Sequence, residues 1–180
     1  MIRATTNNDL ESILAVHADA FGPEEGPEIV ELVRQLLEDE TARPVLSLIA
    51  DVDGTVAAHV LFTTVSVHGG DREPLASLLA PLAVASKIQG QGLGTRLVHA
   101  GLEELRASGV ELVFVLGHPD YYPRFGFRPA GALGFAPPYA IPEKNADAWM
   151  VAEIRAGVVG TVHGTVECAA VLQDEKYWRE

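Results

Sequence analysis

The chain has 180 residues, 48% of them hydrophobic and 21% charged, which is close to the average for folded domains; disordered and fibrous classes are disfavoured, and a single domain over residues 1–180 is expected. Its formal net charge of −12 argues against nucleic-acid binding, whose affinity comes mainly from Lys and Arg on phosphates, while small basic amines would be attracted. The only cysteine, Cys168, permits neither an internal disulfide nor a thiolate metal cluster, and no signal pattern or membrane-length apolar run is present, so a cytoplasmic protein with no metal and no membrane partner is expected.

Ile2 to Thr5 reads as a short strand. Asn7-Asn8-Asp9 can cap a helix that carries Leu10, Ile13, Leu14, His17 and Phe21 on one face. Gly22-Pro23-Glu24-Glu25-Gly26-Pro27 breaks the pattern as an exposed acidic link, and Ile29, Leu32, Val33 and Leu36 resume it on a second helix. Val45 to Asp51 and Thr55 to Val67 read as two antiparallel strands joined by a tight turn at Asp53-Gly54.

The next strand leads from Leu78 through Pro81 into a turn with glycines at 90, 92 and 94. Proline cannot donate to a ladder, so pairing is expected to be disturbed at Pro81. Leu97, Val98, Leu102 and Leu105 mark the helix behind the turn, and Ser108-Gly109 ends it. Val110 to Leu116, apolar on both faces, is a central strand that should lie parallel to the proline strand. Gly117 to Phe127 is turn-rich and aromatic, Pro137-Pro138 and Pro142 mark a loop, and Ala148 to Ile154 supplies a last strand. The core is expected to span about residues 2–154, with no role assigned to the tail 155–180.

A glycine turn opening a helix leaves backbone N–H groups at the positive end of the macrodipole, which favours an anion such as a phosphate. Lys87 and Arg96 are the nearby cations. A P-loop is excluded because Thr95-Arg96 follows Gly94 where Lys and Ser or Thr are needed, and a dinucleotide fingerprint fails because Leu97 stands at its third glycine.

Gln89-Gly90-Gln91-Gly92-Leu93-Gly94 fits Gln-x-x-Gly-x-Gly, directly behind Ala80-Pro81-Leu82-Ala83-Val84, and resembles the acyl-CoA segment of the GNAT superfamily of N-acetyltransferases. Tyr122-Pro123-Arg124-Phe125-Gly126-Phe127 is similar to the Tyr-x-x-x-Gly-Phe block that these enzymes carry after their next strand. Pro-Leu-Ala-Val before the turn and Gly-His-Pro-x-Tyr-Tyr-x-Arg-Phe-Gly-Phe after the strand look most like the bacterial YhbS-like group. The resemblance implies an α/β (α+β) fold with a mixed, centrally splayed sheet of six to seven strands flanked by helices. It also implies acetyl-CoA as co-substrate and a small-molecule or peptide amine as acceptor; a homodimer is left open.

Carried onto this sequence, the resemblance gives a cofactor site at Leu82, Ala83, Val84, Gln89, Gly90, Gln91, Gly92, Gly94 and Thr95. Backbone groups of Leu82 and Val84, freed by the splay, would pair with pantetheine, and the turn would hold the pyrophosphate. Tyr122 would be the acid for the departing thiolate, and the Val84 N–H the donor to the thioester oxygen. The base is not identified; His118, Asp120, His59, Glu25 and a water relay all remain open. Cys168 is expected to be an unreactive thiol. Two functions fit: direct acetyl transfer to an amine, or a non-catalytic acyl-CoA-binding or sensing module.

Overall fold

Strand β1 (Ile2–Ala4) pairs antiparallel with β2 (Leu46–Val52), which turns back into β3 (Thr55–His68). The turn residues Asp53 and Gly54 both take positive φ, at 53° and 78°, the backbone that a two-residue hairpin with right-handed strand twist requires. β3 continues antiparallel into β4 (Ala76–Val84), and β5 (Leu112–Leu116) lies parallel to β4. The computed structural model, which describes residues 1–179, adds β6 (Arg128–Pro129), β7 (Phe135–Ala136), β8 (Trp149–Glu153) and β9 (Gly164–Glu167). Seven strands follow one another in the order β1-β2-β3-β4-β5-β8-β6, and β9 joins the far end of β3 with β7 on its other side.

The sheet is covered on both faces, as the apolar runs require. Along β3, Leu61, Val65 and Val67 pack on one face and Ala58, Val60 and Phe62 on the other; β5 divides in the same way into Leu112 and Phe114 against Val113 and Val115. The first face takes Leu32 and Leu36 of helix α1 (Leu10–Glu38), and the second takes Leu97, Val98, Leu102 and Leu105 of helix α2 (Leu93–Ala107).

Two sequence expectations need correction. The acidic link between two helices narrows to a kink within α1 at Gly22, with φ 75° and ψ −177°. Pro23 can start the second half at once because the first helical position has no N–H partner to lose. The core also does not stop at Ile154. Val166, Cys168, Ala169, Leu172 and Trp178 are buried in the same cluster as Phe114 and Trp149, and β9 pairs with Ser66, Val67 and His68 of β3. Small residues and glycines hide that strand from pattern reading.

A buried polar chain joins α1 to the sheet. His17 Nε2 lies 2.8 Å from His59 Nδ1, and His59 Nε2 lies 2.8 Å from Ser47 Oγ. Both histidines are fully buried, and His17 Nδ1 has no partner. Burial holds His17 at a pKa of about 4, and burial reinforced by the neighbouring ring holds His59 at about 3.

Because both folded-state values lie below the unfolded value of 6.5, the neutral pair contributes its full stability above pH 6.5, and that contribution is lost as pH falls toward 4 and 3. In urea denaturation, stability should therefore fall between about pH 6.5 and about pH 5 by roughly 1 kcal/mol per pH unit for each histidine. His17→Gln should remove about half of that slope; a slope unchanged by the substitution would show that His17 is not held neutral by the fold.

Candidate active site

The site is built on a failure of strand pairing. β3 opposes Phe62 to Leu79 and Val60 to Leu82, so Ala80 and Pro81 together face Leu61 as a bulge. On its other side, β4 pairs with β5 from Ala76↔Leu112 to Leu79↔Val115 and no further. The disturbance expected at Pro81 is present, and beyond it the parallel strands diverge. A cleft of about 1200 Å³ opens there, lined by β4 from Leu78 to Val84, by Val115 and Leu116 of β5, and by the segments that follow both strands.

Which backbone groups face the gap follows from the ladder. Ala85 N–H donates to the Ala57 carbonyl at 2.8 Å, so in the alternating antiparallel pattern Ala83 bonds toward His59, while Leu82 and Val84 point away from β3. Of their polar groups, the Val84 carbonyl is taken by the Gln89 side-chain amide at 3.0 Å. Gln89 therefore braces the strand end, and the Val84 carbonyl is not free, contrary to expectation. The N–H of Val84 and both polar groups of Leu82 remain directed at the gap.

At one end of the cleft stands the glycine turn. Gly90 and Gly92 have φ of 79° and 81°, and Gly92 precedes α2. The first intrahelical bond runs from Arg96 N–H to the Gly92 carbonyl at 3.1 Å, which leaves the N–H groups of Leu93, Gly94 and Thr95 without helical partners. Gly90, Gly92, Gly94 and Thr95 line the cleft, as does Leu93, which sequence reasoning passed over; Gln91 is exposed and does not. Lys87 and Arg96 are exposed beside the turn.

Asp19 of α1 ties this region down. Its carboxylate accepts from the Ser86 N–H at 2.7 Å and from the Ser86 hydroxyl at 2.9 Å, and these bonds hold it below the usual carboxylate range. With the partners 67 positions apart in sequence, no local pattern reveals the contact.

The second motif block closes the other side. Tyr122–Phe125 forms a short 3-10 turn, ended by Gly126 at φ 91°. A Cβ at Gly94 would lie 3.0 Å from the Tyr121 hydroxyl and 3.2 Å from Val84 Cγ2, so the two blocks meet at that glycine. Tyr121, which sequence reasoning did not single out, lines the cleft with Tyr122 and carries Arg124 4.3 Å above its ring. The Tyr122 ring is 8% exposed and lies where any side chain at Gly117 would collide with it. Burial, with a further contribution from Tyr121, raises its pKa, so the phenol is protonated at neutral pH.

Among the possible bases, His118 and Glu25 line the cleft. His59 does not: it is fully buried on β3 in the chain with His17 and Ser47. Asp120 is exposed and outside the lining. Cys168 is buried in the core, where burial and Glu167 push its thiol up to about 12, consistent with an unreactive role. Among the described residues, no group of three or more His, Cys, Asp or Glu is placed to hold a metal ion, and no helix is long and apolar enough to cross a membrane.

A diverging parallel strand pair with a glycine-led helix at its mouth agrees with the comparison to known families, in which the acetyltransferase (GNAT) domain matches residues 1–130. The chain belongs to the GNAT family. The chain is 45% identical over 166 residues to the uncharacterized N-acetyltransferase YjhQ of Escherichia coli K12, an alignment that covers 92% of this chain and 90% of that protein. The uncharacterized N-acetyltransferase YhbS of the same strain is 43% identical over 97 residues, or 53% and 56% of the two chains. The crystal structure of the E. coli GNAT-family N-acetyltransferase YhbS in complex with CoA superposes with a TM-score of 0.84 at 31% identity, covering 97% of this chain and 92% of that one. A Brucella melitensis GNAT-family acetyltransferase in complex with acetyl-CoA gives 0.68 at 28% identity, over 95% and 96%. Family and relatives make this GNAT chain an N-acetyltransferase with the mixed, splayed sheet expected of it.

The Asp19 tether is testable on the free GNAT enzyme. Asp19→Ala should speed amide exchange at Ser86 by about tenfold or more, as loss of the acceptor frees the N–H to solvent. Exchange unchanged from the parent protein would mean that the segment is held by other contacts.

Proposed function

We propose that the whole chain acts as one acyltransferase domain that moves an acetyl group from acetyl-CoA directly to the primary amine of a small molecule or peptide. The observation that carries this reading is the cleft at Pro81, where unpaired strand groups, unpaired helix N–H groups and a protonated tyrosine face one space. The N–H and carbonyl of Leu82 and the N–H of Val84 suit the amides of a pantetheine arm, which would lie as a further strand against β4. N–H groups from Gly90 to Thr95, at a helix N-terminus, suit a pyrophosphate in a chain whose formal charge of −12 would otherwise repel it. Ala83 and Gln89 support this site through the ladder and through the Val84 carbonyl.

Acetyl-CoA supplies an activated acyl group and a thiol leaving group. The protein's part is to hold the thioester oxygen near the Val84 N–H and to keep a proton on Tyr122 for the departing sulfur. A bond forms from the amine nitrogen to the acyl carbon, the carbon–sulfur bond breaks, and the amine's proton leaves to water or to a cleft group such as His118 or Glu25. No side chain carries the acyl group, so transfer needs both substrates bound together.

Thermal denaturation with acetyl-CoA and release of free thiol with a primary amine test this reading. Acetyl-CoA well above its dissociation constant should raise Tm, and Gly92→Glu should abolish the rise by placing a charge and a Cβ where φ is 81°. Tyr122→Phe should lower kcat by about 100-fold with little change in acetyl-CoA affinity. Binding without transfer to any amine, with Tyr122→Phe silent, would reduce the chain to a binding module.

A further inference from the structure

The acceptor end of the cleft is walled by parts of the chain that the family domain does not include. That domain matches residues 1–130, whereas the cleft is also lined by Lys144, Asn145 and Asp147 and by Leu172, Lys176, Tyr177 and Trp178 of the tail. The tail is fixed rather than draped. Ala170 N–H donates to Thr41 Oγ1 at 2.8 Å and Val171 N–H to the Asp39 carboxylate at 3.0 Å, both just past the C-terminal end of α1. Trp178 is buried edge-on to Trp149 at 5.7 Å between ring centres, and its indole N–H donates to the Leu172 carbonyl at 3.0 Å.

Opposite this wall, the second half of α1 presents Glu25, Glu28, Ile29 and Leu32 to the same space. Lys176 Nζ reaches across to Glu28 Oε1 at 3.6 Å, joining the tail to α1 at the rim, where both side chains are more than half exposed. The same cleft is lined by the apolar groups of Ile29, Leu32 and Leu172 and by Tyr177, over whose ring Lys176 Nζ lies at 5.0 Å. Glu25 forms no ion pair among the described residues.

We infer that residues 170–178 are the acceptor-selecting wall of this enzyme and that they admit a small primary amine with a compact apolar body rather than the amino terminus of a polypeptide. This inference rests on the acetyl transfer proposed above. An ammonium group in solution is drawn to a rim carrying carboxylates, its apolar body is desolvated against Ile29, Leu172 and Tyr177, and the amine gives up its proton before attack. A polypeptide would need room for the chain behind its amino group, whereas the Lys176–Glu28 bridge joins two cleft-lining residues of the tail and α1.

The test uses the full chain with phenethylamine, hexylamine and a hexapeptide with a free amino-terminal alanine as acceptors, alongside calorimetry with acetyl-CoA. For the parent enzyme, kcat/KM for both small amines should exceed that for the peptide by about tenfold or more. Tyr177→Ala should raise KM for the small amines by about fivefold or more while acetyl-CoA affinity stays within about twofold, a split that general loosening would not produce. Lys176→Ala, on a half-exposed side chain, should open the rim and narrow the preference over the peptide. Preference for the peptide, no transfer to either small amine, or an acceptor profile untouched by both variants overturns the inference. If any of the acceptors is acetylated in those cases, the acetyl-transfer reading survives; if acetyl-CoA fails to bind, or binds and no acceptor is acetylated, that reading falls as well.

Discussion

One missing donor organises this molecule. Pro81 cannot contribute an N–H to the sheet, and the strand that carries it takes an extra residue against β3 and leaves β5 after Leu79. Everything chemical in the protein is arranged around the gap that results. The buried faces on either side, with α1 and the tail on one and α2 on the other, hold the two strands where they part, so the cleft is a feature of a packed core and not of a loose end.

The two sides of that gap do different work. At the β4 side the gap is faced by backbone: the groups of Leu82, the Val84 N–H and the N–H groups of the glycine turn, where glycine permits positive φ at 90 and 92. On the proposed reading, such donors would let an acidic chain hold an anion without clustered lysines there. At the far side, the cleft is lined by side chains from α1, the segment after residue 142 and the tail, and there the composition is mixed: carboxylates, lysines and a floor of apolar groups.

Much of this was legible in the sequence because its signals are local. Asp53-Gly54, the apolar run of β5, the proline in β4 and the glycine spacing before α2 each dictate their own conformation, and the kink at Gly22 was foreshadowed by glycine and proline in succession. What escaped had no local signature. β9 is four residues of Gly-Thr-Val-Glu whose only reason to be a strand is the edge of β3 beside it. The Asp19–Ser86 tether, the Gln89 brace on Val84 and the His17–His59 contact depend on folding first, and His59, open as a base on residue type alone, is a core residue once α1 lies over it. Tyr121 was overshadowed by its neighbour, though both rings line the cleft.

The most direct measurement of the account is a crystal structure of the enzyme with acetyl-CoA. The account predicts the pantetheine arm in the gap between β4 and β5, its amides bonded to Leu82 and Val84, the pyrophosphate on N–H groups between Gly90 and Thr95, and the sulfur beside Tyr122. Acetyl-CoA bound elsewhere, or in the gap with its pantetheine amides unpaired to β4 and its sulfur remote from Tyr122, would contradict it.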